Sequence, residues 1–426
     1  MAYLALLLYT GLLFVRPQEW YPPLQDVHLI DFVVGFAVLA WMGHMIQSGW
    51  RPGHAPQNWL MLGLLGGVMM SHVSHTYLGA LIESSREFGK VVLFYFLVSS
   101  LVTSVRRARG LLVVMGAGCL FMSINGILQA HTGVGFYGSP PQFAGGVVRV
   151  QAWGIFNDPN DLALMLVAVL PFLFNEALNR SLTAPWRIVS AATTVPLVYC
   201  IFLTNSRGGW VALCVMVLAY ALIWLNNKKL ALIVGACLVP LLLVAGPSRL
   251  QTMGADEDSA HGRIVAWGQG NAMLKSNPVF GVGMGRFGEF TEEGKVAHNS
   301  FVQCWAELGL FGYFFWLGMV IATLKDGSAL GRLARDDPES EQISRLGKAS
   351  TAALVGFLAA AFFLTRTFTL PLFLLLAFVA ALRSVREAED KPLPGGFALG
   401  DWKFIVFAEV ASIVGIYVLI RILNLL

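Results

Sequence analysis

Charge is scarce in this chain. Asp, Glu, Lys and Arg make up 13% of its 426 residues, where an ordinary soluble domain carries roughly 25%. A water-facing enzyme surface is thereby excluded. Cysteine is equally thin. Cys119, Cys200, Cys214, Cys237 and Cys304 are odd in number and all fall inside apolar runs. They exclude a disulfide framework, and with no CxxC or Cys/His spacing they offer no metal site. Small apolar packing is their expected use. A basic leader region and a small-residue cleavage site are also missing from MAYLALLLYTGLLFVRPQEW, so the N-terminus reads as a retained first span. The formal net charge of +4 carries no inference toward nucleic acid, because Lys and Arg in a membrane protein mostly record topology.

Apolar residues are what is plentiful, at 56% of the chain, and they come in long runs. A helix needs about 20 residues to cross a bilayer. Apolar segments lie near residues 1–15, 29–48, 59–77, 88–105, 110–128, 160–178, 187–204, 208–225, 229–246, 299–324, 348–365, 368–383 and 402–424. The first and the 368–383 segment are short. The expected fold is all-α, a polytopic membrane protein with about 12–13 transmembrane helices.

Basic residues test the alternation of sides, since cytoplasmic loops are rich in Lys and Arg. Of the 29, 17 fall in one set of alternate loops: Arg51; Arg106, Arg107 and Arg109; Arg180 and Arg187; Lys228 and Lys229; Lys325, Arg332, Arg335, Arg345 and Lys348; Arg383, Arg386, Lys391 and Lys403. Five of the other 12 sit in one long loop, where the rule has less force. The first set is therefore expected to be cytoplasmic, with the N-terminus inside. On the opposite side, residues 129–159 and 247–298 are longer than connections need to be, and loops of that length usually have a task. The second contains HGRIVAWGQGNAMLKSNP, where Ile264, Val265, Trp267, Met273 and Leu274 recur at helical spacing until Asn277-Pro278. It reads as an amphipathic helix against the outer membrane face, opened by Arg263. Gly281, Gly283 and Gly285 follow, and imply a flexible or tightly turning backbone. The expected organisation is 1–150, N-terminal helices and first outer loop; 151–246, central helices; 247–298, catalytic outer loop; and 299–426, C-terminal helices.

Ionisable groups at a membrane boundary are costly unless paired, so they carry the functional signal. Arg207 lies in the outer turn LTNSRGGW, Arg263 in the outer helix, and His298 where the long loop re-enters the membrane. Two guanidiniums can grip a phosphate or pyrophosphate through parallel N–H donors, and an imidazole can move a proton near neutrality or donate to a phosphate oxygen. Bland readings compete: lipid snorkelling for Arg207, solvation for Arg263, and a packing or capping part for His298 beside Asn299 and Ser300. Arg16, Arg286, Arg366 and Glu307 are secondary candidates. Arg16 has Glu19 as a local ion partner, Arg366 is a reserve phosphate ligand in LTRTFTLP, and Glu307 is expected to form an interhelical pair. Asp158 and Asn160 in FNDPNDLAL read mainly as helix caps. No metal ligand set is expected.

The succession SRGGW, GRIVAW, NPVFGVGMGRF and AHNSFVQCWAELGLFG, preceded by FNDPNDLAL, resembles the C-terminal half of the O-antigen ligase and O-antigen polymerase superfamily of bacterial inner-membrane proteins. The likeness covers about residues 150–325, and RPQEW is most similar to the O-glycosylation ligases encoded with exosortase systems. The resemblance implies a metal-independent, cofactor-free, inverting glycosyltransferase. Its donor would be an undecaprenyl-pyrophosphate-linked glycan, and its active site would lie on the periplasmic side of the inner membrane. Acceptors by branch are lipid A core glycolipid, another lipid-linked repeat, or other hydroxyls, including those of proteins. The arginines that bind the donor pyrophosphate correspond to Arg207 and Arg263, and the essential histidine to His298, as base or as phosphate-orienting donor. Rival readings are a polysaccharide polymerase of the same superfamily, a lipid-linked sugar transporter or flippase, and a membrane scaffold. Against transport, no internal repeat is evident and the polar groups gather toward one face, away from the midplane.

Overall fold

The computed structural model describes residues 1–48, 55–144, 146–225, 229, 232–238, 257–291, 294–334, 337–388 and 392–423. The fold is all-α, with 79% of the described residues helical. In chain order the helices are α1 (Ala2–Val15), α2 (Pro17–Trp20), α3 (Leu29–Ser48), α4 (Pro56–Val73), α5 (Leu78–Leu101), α6 (Val105–Thr132), α7 (Pro159–Leu178), α8 (Ala184–Leu203) and α9 (Arg207–Leu225). They continue with α10 (Glu257–Ser276), α11 (Ser300–Gly331), α12 (Pro338–Ala361), α13 (Leu370–Glu387) and α14 (Trp402–Leu423). One antiparallel hairpin, β1 (Gln142–Ala144) and β2 (Val147–Arg149), pairs Gln142 with Arg149 and Ala144 with Val147. Of the thirteen apolar segments, twelve coincide with helices. Most of 229–246 lies outside the described residues, although 232–238 are helical.

Among the described residues, seven helices are long and apolar enough to span a membrane: α3, α6, α7, α8, α9, α11 and α14. That is fewer than the 12–13 expected, and the reasons are local. Helix α1 has 14 residues; α5 carries Glu83, Arg86, Glu87 and Lys90; α12 opens with Glu339 and Glu341; and α13 ends on Arg383, Arg386 and Glu387. The termini follow ordinary chemistry. Ser104 caps α6, accepting from Arg107 N at 3.3 Å, and Gly133, at φ 81°, ends it in the left-handed conformation. Asp158 caps α7, accepting from Asn160 N at 2.7 Å, with Pro159 at the first helical position. All five cysteines are free. Four are buried and Cys237 is exposed.

The chain forms two compact units: one of Met1–Arg51, Ser100–Gln251 and Leu330–Ala360, the other of Pro52–Ser99, Thr252–Ala329 and Ala361–Leu426. In the first, α7 is almost entirely buried and packs against α6, α8 and α9, while α1 packs on α3 and α6. In the second, α11 is broken at Gly309 (φ 63°, ψ −168°). A helix break frees backbone groups, which hydrocarbon cannot satisfy. The 278–283 segment satisfies them here. Val282 N donates to Ala306 O at 2.9 Å and Gly283 N to Glu307 O at 3.0 Å, while Leu310 N and Phe311 N donate to Pro278 O (2.8 Å) and Val279 O (3.0 Å). Gly281, Gly283 and Gly285 all have positive φ, so the glycine run is a tight turn. A Cβ on Gly281 would strike the carbonyl of Glu307, and one on Gly309 the carbonyl of Val279.

Candidate functional site

In the second unit the candidate residues cluster where α4 ends and α11 and α13 begin. Asn299 caps α11, its Oδ1 accepting from Phe301 N (2.9 Å) and Val302 N (3.1 Å), so His298 stands just outside the helix. His298 is exposed, holds a left-handed backbone (φ 48°), and donates its N–H to Thr365 Oγ1 at 2.8 Å. The LTRTFT turn wraps the same helix start. Arg366 N donates to Ser300 Oγ (2.8 Å), Ser300 Oγ to Leu364 O (2.7 Å), and Thr367 Oγ1 bonds Ser300 O (2.8 Å) and Gln303 Oε1 (2.6 Å). The turn that bears Arg366 is thus fixed beside His298 by backbone and hydroxyl bonds.

Arg263 belongs to this unit too, but it does not open its helix. Helix α10 starts at Glu257, which places Arg263 in the second turn and removes the helix-dipole argument for an anion there. The expected apolar face also needs correction: Val265 is 42% exposed, and the packed side is Ala266, Trp267, Gly270 and Met273. That side is covered by protein. Trp267 Nε1 donates to Ala297 O at 2.9 Å and its ring meets Phe362 edge-on at 5.5 Å. Trp267, one turn beyond Arg263, is therefore bonded to the residue preceding His298.

The secondary candidates differ in their engagement. Arg286 lies over the Tyr77 ring, 3.6 Å from its centroid, and is paired with Glu289, whose hydrogen bond raises the arginine pKa. Glu307 is 1% exposed, and the expected interhelical ion pair is not found among the described residues. Its Oε1 instead accepts weakly from Phe287 N and Gln303 Nε2, each at 3.4 Å. A carboxylate threaded under the glycine turn serves the turn before it serves another helix.

In the first unit, Arg207 is the first residue of α9, capped by Ser206, whose Oγ accepts from Gly209 N at 3.0 Å. A cation at a helix N-terminus is disfavoured unless an anion offsets it. Arg16 forms the expected local pair with Glu19. It also lies against Gly154, where a Cβ would occupy its guanidinium. Sequence reasoning passed over Arg149. This residue is 9% exposed, and donates from Nε to Thr204 O (3.1 Å) and from Nη2 to Asn160 Oδ1 (3.1 Å), the oxygen that also accepts from Ser206 Oγ at 2.7 Å. It ties the Arg207 turn to the start of α7. His72 was also unread. Its ring is fully buried, neither nitrogen has a hydrogen-bond partner, and it lies 3.2 Å from where a Gly283 Cβ would stand. Neither residue has a periodicity or spacing that marks it in the sequence.

Helices of this length and hydropathy, carrying arginines and an imidazole at their termini, define a polytopic all-helical membrane protein. A family model described as O-Antigen ligase matches residues 192–317, so this segment of the chain is similar to that family. Arg207, Arg263 and His298 all lie inside the matched segment. No individual curated protein matches the chain. The family match supports glycosyl transfer of the O-antigen ligase or polymerase kind.

Proposed function

We propose that the protein transfers a glycan from undecaprenyl pyrophosphate to an acceptor hydroxyl on the periplasmic face of the bacterial inner membrane, with inversion at the anomeric carbon and without a metal. The acceptor is lipid A core glycolipid or a related O-glycan acceptor. The observation that carries this reading is that the O-Antigen ligase match spans all three basic candidates. The Trp267–Ala297 bond, which fastens the Arg263 helix to the approach of His298, supports it.

Departure of the lipid diphosphate leaves negative charge on the bridging oxygen, and donors that hold this developing charge lower the barrier more than donors that hold only the ground state. Arg207 and Arg263 take that part. His298 deprotonates the acceptor hydroxyl or orients the diphosphate. The two parts give different pH profiles: a base loses activity as the imidazole protonates, whereas a charged donor loses it as the imidazole deprotonates. Removing one preorganised charged donor costs roughly 3 kcal/mol, about a hundredfold in rate. The test is turnover by purified Arg207→Gln and Arg263→Gln in chelator. Losses near a hundredfold with unchanged thermal unfolding support the assignment, and wild-type rates in both variants overturn it.

A further inference from the structure

Helices α6, α7 and α8 of the first unit do not close on one another along their whole length. Gly116 and Ala117 on α6 and Ser190 and Thr193 on α8 are too small to fill the space between them, and they border a cleft of about 230 Å³. Its walls are apolar, and Val113 (44% exposed) and Val189 (54% exposed) stand at its rim. The cleft therefore opens onto the apolar flank of the unit, the surface a bilayer covers.

One end of the cleft is polar. There Glu176 Oε2 accepts from Arg109 Nη2 and from Trp186 Nε1, both at 2.8 Å. Glu176 fixes the arginine at the mouth without satisfying it, because Arg109 Nε is buried and has no hydrogen bond. Past Arg109 a second hollow, of about 420 Å³, continues by Arg106 to Glu339 and Gln342 of α12. An apolar slot leading into a charged vestibule has the polarity of a phospholipid, acyl chain first and headgroup after.

The charge selects among lipids. Arg106 and Arg109 line the vestibule with Glu339, and Arg107, Arg180 and Arg187 stand at the same end of the unit, where α6 and α8 begin and α7 ends, so arginine is the prevailing charge there. This is the end of α8 opposite the Arg207 turn. It is also the Lys/Arg-rich side that the loop alternation assigns to the cytoplasmic leaflet, and basic pockets between membrane helices on that side take anionic headgroups.

We propose that the cleft between α6, α7 and α8 binds one anionic phospholipid, an acyl chain in the slot and the headgroup phosphate beside Arg106 and Arg109. The site is independent of glycan transfer. The experiment is native mass spectrometry of the delipidated full chain in detergent, titrated with phosphatidylglycerol or with zwitterionic phosphatidylcholine. Wild type is expected to bind phosphatidylglycerol more tightly by fivefold or more. Arg106→Gln, at an exposed position, is expected to weaken phosphatidylglycerol roughly fivefold and leave phosphatidylcholine unchanged. Ala117→Phe, which fills the slot from an exposed position on α6, is expected to weaken both. Equal affinity of wild type for the two lipids overturns the proposal. So does phosphatidylglycerol binding that neither variant alters.

Discussion

His298 and Arg149 show two ways in which a basic side chain is fixed. The left-handed backbone of His298 is one that asparagine also tolerates and alanine resists. His298→Asn is therefore expected to keep its thermal midpoint in detergent while turnover falls at least about a hundredfold, the usual contribution of a positioned proton-transfer group. A midpoint that drops with the activity would make His298 a structural residue. Arg149 is held by bonds to Thr204 O and Asn160 Oδ1, and lysine has no planar fork with which to reproduce both. Arg149→Lys is expected to destabilise the folded chain by about 1.5–3 kcal/mol, read by chemical unfolding. Arg207, Arg263 and His298 were visible in the sequence because isolated charges stand out in an apolar chain. Arg149 and His72 were not, since each depends on contacts made by a loop whose course no local pattern specifies.

The break in α11 explains a glycine pattern that the sequence shows but does not interpret. Gly281 faces the backbone of Glu307 and Leu308, and Gly309 that of Val279 and Gly281, so a methyl group at either meets a carbonyl that cannot move away. Gly285 has the same sign of φ but open space around it. Gly281→Ala and Gly309→Ala are expected to prevent accumulation of folded protein, whereas Gly285→Ala costs only the conformational penalty of about 1 kcal/mol. Yields and thermal midpoints of the three purified variants check this ordering, and equal behaviour would contradict it. The tight turn itself was legible from three glycines in five residues, as was the Asp158 cap from its place ahead of an apolar run. The start of α10 was not. Glu257 begins the helix that carries Arg263, six residues before the arginine expected to open it, and its packed face was displaced from the one that spacing suggested because Trp267 follows the protein surface it meets.

The polytopic, all-helical character of the molecule follows from composition, because runs of apolar residues have few other outcomes. The number of spans follows less directly, since α5, α12 and α13 combine apolar stretches with charged residues. Asp326 on α11 takes its charge partner from α13. It is fully buried, bonded by Arg383 Nη1 at 3.0 Å, by Gln57 Nε2 at 2.8 Å and by Phe397 N at 2.6 Å. Removing Arg383 strands that carboxylate, and Arg383→Ala is expected to cost about 3–5 kcal/mol in unfolding measurements. Nearby, Lys325 holds the Asp401 carboxyl below its usual range. An acid that ionises more readily when folded adds stability above the ordinary aspartate pKa of about 3.9 and loses it as pH falls through its lowered folded value. Asp401→Asn should therefore flatten the acid limb of the stability profile and leave its slope near neutrality unchanged. The central claim, covalent glycan transfer, is tested most directly in proteoliposomes holding the wild-type protein, a radiolabelled undecaprenyl-pyrophosphate-linked glycan and lipid A core in chelator. Label that becomes covalently attached to the acceptor is the predicted result; label that crosses the bilayer still attached to its donor lipid would contradict the account.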